Sequence, residues 1–424
     1  MAERDGSGRA GRPAGGGRAV RRPARRAPRV VRASCAAVLL LVALAGCGGS
    51  AGADRAASGR VSAETERQVR AALERWSAAV LARDPAARLA EDARPQARAL
   101  FDRTAGVPFA VWEYRLTGVR RDGGRLRAEA ELRYRLAGHD TVPVTTARTL
   151  ELTDGGARPR IAADRPADGT APQLWDLGPV TAVSGRSALV LGTGQPRATL
   201  EELARTADAA VPEVSAAWRG PWPGTVVVLA PGTLGQLAAV LGAPEAEYRG
   251  LAAVTTGSTG DGPAPADRVA VNPEAYAGLS AAGRRIVLAH EITHVATRDA
   301  TGPRTPQWLS EGFADWVAYR NGGPPVPAAA AELAREVRAG RLPGDLPADR
   351  DFAFGGDPAA TARAYQGAWL ACRTIAERWG EEKLLRFYRV AGEEGPDRAL
   401  AEVLRTDRVA FAAAWRAELR RTLS

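Results

Sequence analysis

In the stretch His290-Glu291-Ile292-Thr293-His294, residue type and spacing point most plainly to chemistry. Residues four apart share one face of an α-helix, so both imidazoles can reach one cation. Zinc takes such nitrogens in tetrahedral geometry, and the Glu beside the first His can reach a metal-bound water as general base. The chain has only three histidines, so chance would supply the pattern on the order of once in a thousand such sequences. The chemical reading therefore outweighs that of a core helix with two incidental histidines.

A catalytic zinc needs a third protein ligand and an open position. The metzincin pattern would put a Gly at 297 and a His at 300; Thr297 and Ala300 stand there, which excludes it. Downstream, Trp308-Leu309-Ser310-Glu311-Gly312-Phe313-Ala314-Asp315 opens a second helix, and Glu311 has no packing reason to be acidic. It is the natural third ligand. Asp315, one turn later on the same face, is placed to accept the free ring N–H of a zinc-bound His, most naturally His290.

With these residues the chain resembles the gluzincins, the peptidase-MA-like clan of HExxH metallopeptidases with a W-L-x-E-G-x-A motif on the following helix. The resemblance covers roughly residues 180–424. It implies that His290, His294 and Glu311 hold one Zn2+, that Glu291 is general base and proton shuttle, and that the substrate is a peptide or protein. It also implies that Tyr365, opening a long helix in Ala364-Tyr365-Gln366-Gly367-Ala368-Trp369, donates to the oxyanion, with Tyr319 its rival. Thermolysin-like members use the spacing of Glu311 to Asp315. Two departures stand out: sixteen residues separate His294 from Glu311, two fewer than in membrane-alanyl-type aminopeptidases, and their Gly-x-Met-Glu-Asn strand is missing, Met1 being the sole Met. Substrate is expected to add as a strand along Leu251 to Thr255, with the Gly-rich loop 256–264 as rim.

Apolar Ile286, Val287, Leu288, Ile292 and Val295 predict a largely buried helix around the motif. Before it come a strand (Ala188 to Leu191), a helix (Leu200 to Trp218), a strand (Thr225 to Leu229), a helix (Leu234 to Leu241) and strands Leu251 to Thr255 and Arg268 to Val271. From Ser280 onward the chain reads as helix with short connections. Further upstream, Val69, Leu73, Trp76 and Val80 predict a helix to about Leu89, and a second runs from Gln96 to Arg103. Period-two alternation then takes over in Trp112, Tyr114 and Leu116 and, past the turn Asp122-Gly123-Gly124, in Leu126, Ala128, Ala130, Leu132 and Tyr134. Thr145 to Leu152 and Arg160 to Ala163 complete an antiparallel sheet. Helices followed by a curled sheet resemble the NTF2-like cone domains. The expected fold is α+β: an NTF2-like domain over 61–165, a Pro- and Gly-containing linker over 166–179, and a gluzincin-type domain over 180–424 with a small mixed sheet and a mostly helical C-terminal lobe. His139, in Gly138-His139-Asp140, reads as part of a hairpin turn with no chemical role, and Cys372 as a small core residue.

The 424 residues, 45% hydrophobic and 25% charged, fit a globular chain with room for two or three domains. The net charge of +10 does not signal nucleic acid, because residues 1–34 carry ten Arg against Glu3 and Asp5, and no basic stripe interleaves with aromatics. The apolar run Ala33 to Leu44 is too short to cross a bilayer and suits a signal peptide. Leu44-Ala45-Gly46-Cys47 resembles the bacterial lipobox, which implies a lipoprotein signal peptide over 1–46, lipidation of Cys47, and an extracytoplasmic protein anchored to the membrane through a flexible tether over 47–60. Cys372 then has no partner for a disulfide. The combined reading is a membrane-anchored extracytoplasmic zinc metallopeptidase. Its alternatives are a catalytically silent surface scaffold, against which the intact Glu291 argues, and a cell-wall peptide amidase.

Overall fold

A computed structural model describes residues 61–83, 95–153, 158–257, 264–353 and 356–424. The expected leader, the lipidation site Cys47, the tether, the tail of the first helix beyond 83 and most of the loop 256–264 lie outside them. Helices of eight residues or more run in the order α1 (Ala63–Ala82), α2 (Pro95–Thr104), α3 (Arg197–Trp218), α4 (Leu234–Leu241), α5 (Ala281–Thr297), α6 (Gln307–Tyr319), α7 (Ala331–Arg338), α8 (Pro358–Trp379), α9 (Glu381–Glu394) and α10 (Arg408–Leu423). The architecture is mixed α and β, with two small sheets and a helical C-terminal part.

The first sheet is antiparallel in the order β1 (Phe109–Asp122), β2 (Arg125–Leu136), β3 (Val144–Thr153) and β4 (Ile161–Pro166). Its β2 alternates without a break, burying Leu126, Ala128, Ala130, Leu132, Tyr134 and Leu136. These face the buried stripe Val69, Leu73, Trp76 and Val80 of α1, whose first turn is capped by the Ser62 hydroxyl accepting from Thr65 N–H (3.1 Å). The hairpin between β1 and β2 turns through Gly123 at φ 58°, a left-handed conformation suited to glycine. Inside the sheet sits Arg148, wholly buried; its guanidinium donates to Asp164 (2.8 Å) and to both oxygens of Asp176 (2.8 and 2.9 Å). Tyr114 donates to the same Asp164.

The second sheet has the order β5-β6-β7-β9-β8, with β5 (Val180–Ser184), β6 (Ala188–Thr193), β7 (Val226–Ala230), β8 (Ala253–Thr256) and β9 (Arg268–Val271). The central strands β6, β7 and β9 are parallel, and the edges β5 and β8 run antiparallel to them. Central strands covered on both faces read as unbroken apolar runs, as Ala188 to Leu191 and Val226 to Leu229 do. Leu189, Leu191 and Val227 point into one core with the first sheet, while Ala188, Val190, Val226 and Val228 point into another with α3 and the helical lobe. The stretch 166–179 is packed rather than loose: Leu174 and Trp175 are buried, and Trp175 lies among Phe109, Trp112 and Tyr134. The turn after β2 adds a polar tie. His139 sits in it as expected, but its neighbour Asp140 is buried and accepts from Leu136 N–H (2.8 Å), Ala266 N–H (3.1 Å) and the Arg268 guanidinium (2.8 Å).

Three features depart from the sequence reading. The sequence pattern does not mark the edge strand β5, and the lobe after Ser280 contains one long connection between α7 and α8 whose described residues include the 3-10 turn Asp349–Phe352. Tyr365, expected at the start of α8, lies in its third turn, because Asp357 caps the helix earlier by accepting from Ala359 and Ala360 N–H.

Candidate metal centre

Two helices build the centre. On α5, Ser280 caps the start, and Leu288, Ala289, Ile292 and Ala296 bury one side against the core, which turns His290 and His294 to the other. On α6, Gly312 follows Glu311. A Cβ there would collide with the carbonyl oxygen of Ala368 on α8, so only glycine lets α6 settle this close and present Glu311 at the depth it has. Cys372, on the same contact, is a buried free thiol.

The ligand atoms converge. His290 Nε2 is 3.1 Å from His294 Nε2 and 3.3 Å from Glu311 Oε2, and His294 Nε2 is 3.5 Å from the same oxygen. A tetrahedral ion with bonds of about 2.0–2.1 Å separates its ligand atoms by about 3.3–3.4 Å, so the three atoms already stand at the spacing zinc requires. Among the described residues this is the group of His, Cys, Asp or Glu able to hold a metal together. Asp315 Oδ1 lies 2.8 Å from His290 Nδ1. A carboxylate accepts, so Nδ1 carries the proton and Nε2 offers a lone pair toward Glu311 and His294. Converging lone pairs are relieved by protons or by a cation. Burial opposes a charged His290, yet Asp315 and Glu311 reverse this and hold its pKa well above the ordinary imidazole value. Burial likewise opposes a charged Glu311, but His294 and His290 hold its carboxyl far below the usual range. A site that favours positive charge so strongly, with two nitrogens and one oxygen as donors, fits a borderline divalent ion such as zinc.

Glu291 is buried beside the cluster, and its Oε2 accepts a hydrogen bond from the Thr255 hydroxyl (2.6 Å). The same hydroxyl lies 3.0 Å from the Glu291 carbonyl oxygen. Thr255 was anticipated only as a residue of the edge strand; a Thr in a strand ordinarily expresses β-propensity, and nothing in its spacing marks it as a partner of Glu291. The strand itself, β8, lies at the sheet edge as expected and lines the cleft with α5. Tyr365 and Tyr319 both line this cleft of about 480 Å³. Burial raises both phenols above their ordinary pKa; Tyr365 also feels Glu311, Asp315 and Glu291, whereas Tyr319 feels Asp315 alone. Tyr365 thus shares the cleft with these carboxylates, and its phenol stays protonated and able to donate.

No family model matches this chain, and no curated protein matches it. Among solved structures, an M1 zinc metallopeptidase from Deinococcus radiodurans aligns at 16% identity with a TM-score of 0.32, covering 71% of this chain and 62% of that one. A two-domain M1 zinc metallopeptidase bound to L-arginine aligns at 16% identity with a TM-score of 0.34 and the same coverage. The chain thus spans 62% of the length of these proteins. Superpositions this loose carry no argument, and the case for the centre is its own geometry.

Proposed function

We propose that this chain is a zinc metallopeptidase of gluzincin type that hydrolyses peptide bonds. The observation that carries the reading is the convergence of His290, His294 and Glu311 at 3.1–3.5 Å in an open cleft, with Glu291 beside them. His290, His294 and Glu311 would hold the ion, which when bound supplies Lewis-acid polarisation of a carbonyl and of water. Asp315 holds the His290 ring in the tautomer that binds. Glu291 takes a proton from the attacking water and later hands it to the leaving amine, while Thr255 orients the carboxylate. Tyr365 donates from its phenol to the oxygen that gains charge. An extended peptide would pair with the free edge of β8, which runs beside α5.

The rest of the proposal rests on sequence features: export and lipidation at Cys47, a tether over 47–60, an NTF2-like domain over 61–165 and an extracytoplasmic location at a membrane surface. No helix of the described residues is long and apolar enough to cross a membrane. The purified protein loaded with zinc should cleave peptides in a complex mixture, read by mass spectrometry. Glu291→Gln should keep the metal and lose about 10²–10⁴-fold in rate. Cleavage that persists unchanged in that variant would overturn the mechanism, and zinc binding without any cleavage would favour the scaffold alternative.

A further inference from the structure

The cleft does not end at the ligand cluster. Beside it lies a second cavity of about 450 Å³, and the two share Leu251, Asp315, Tyr319 and Tyr365 as walls. Its remaining walls are mainly apolar, Ala329, Pro358, Ala362 and the indole of Trp369, with Thr361 and Gln366 as uncharged polar members. Ring contacts hold them in place: Tyr319 lies against Trp369 with centroids 4.7 Å apart, and Tyr365 meets Phe352 edge to face at 5.1 Å. Among the described residues no Lys or Arg lines this arm; its acids are Asp315, engaged with His290, and Glu247 at the exposed mouth. Arg298, Thr301 and Ser310 line the cleft at the cluster but not this cavity.

We infer, on the peptidase reading above, that the aromatic arm is a side-chain pocket selecting a bulky uncharged residue, aromatic or branched aliphatic, beside the bond to be cut. Such a side chain exchanges water for a wall of rings and methyl groups, a gain that scales with the apolar area covered. An alanine there leaves the cavity unfilled. An aspartate meets two carboxylates and no cation, and a lysine finds only Glu247, in the solvent-screened mouth where an ion pair contributes little.

The test is affinity, separate from turnover. Zinc-loaded Glu291→Gln protein is titrated with four blocked peptides that differ at one residue: Phe, Ala, Asp or Lys. The Phe peptide should bind at least about tenfold tighter than the Ala peptide, with Asp weakest. Ala362→Trp, which fills the arm from α8, should abolish the gap between Phe and Ala; Ala329→Phe fills it from the opposite wall and serves if the first variant does not fold. Equal affinities, a preference for Lys or Asp, or a gap that survives both fillings would overturn the inference. Selective binding by the variant alongside a parent that cuts nothing would refute hydrolysis and leave the pocket standing; cleavage without selectivity would do the reverse.

Discussion

Two of the buried groups of charged side chains have opposite characters. In the first sheet, Arg148 directs its guanidinium at Asp164 and Asp176, Tyr114 and the Gln173 N–H complete the set, and every strong donor faces an acceptor. Between α5 and α6, His290, His294 and Glu311 direct acceptors at one another across 3.1–3.5 Å, beside a cleft. The first arrangement is complete as protein. The second has no such match within the protein, and on the proposed reading a cation from outside completes it. Burial and charge are common to both, so neither identifies a site; an unmatched surplus of lone pairs aimed at one point does.

Breaking the closed cluster should have the larger effect. Arg148→Met leaves two buried carboxylates without their cation and should cost about 3–5 kcal/mol in denaturant unfolding, with zinc stoichiometry of the folded fraction unchanged. Burial already raises the Asp164 carboxyl above its ordinary value, against the pull of Arg148. Without Arg148 the folded state holds protons that the unfolded chain has released, so stability falls as pH rises above the ordinary aspartate range. The deficit should thus be smaller at pH 5 than at pH 8; a constant deficit would show that the carboxylates find other partners.

In the open cluster the same kind of change should spare the fold and reach the metal. Asp315→Asn, which can no longer hold the Nδ1 proton of His290 with a charge, should weaken zinc binding about 10–100-fold in a chelator competition, with little change in melting temperature. An unaltered affinity would remove Asp315 from the centre. The smallest effect is expected at Thr255. Thr255→Val frees the Glu291 carboxylate and should lower kcat by roughly tenfold at constant zinc content and nearly constant KM, and Thr255→Ser should restore it. A loss equal in both variants would make the residue a packing element.

The open cluster was also the more legible of the two in the sequence. Its ligands lie on consecutive helices, within 21 residues of one another, and a helix fixes which of them share a face. Asp315 could be assigned to His290 on that ground, and the two side chains stand 2.8 Å apart. The partners of Arg148 stand 16 and 28 residues further on, in a strand and in the Pro- and Gly-containing stretch 166–179, and no periodicity relates them. Thr255 escaped for the same reason: it reaches Glu291 from another element, 36 residues upstream. The strand β5 is short and at an edge, where pairing rather than pattern defines it. In contrast β2, with its unbroken alternation, needed nothing beyond the sequence.

The tie made by Asp140 bears on how such a protein can be divided or recombined. Cut at residue 180, the C-terminal part would turn Leu189, Leu191 and Val227 to water and strip Arg268 of its carboxylate. That fragment would be sticky as well as shortened. Any exchange of the N-terminal sheet for another would have to bring an apolar face of matching shape and an acid in register with Arg268. The two sheets therefore travel as a pair, and the C-terminal half cannot be treated as a removable cartridge.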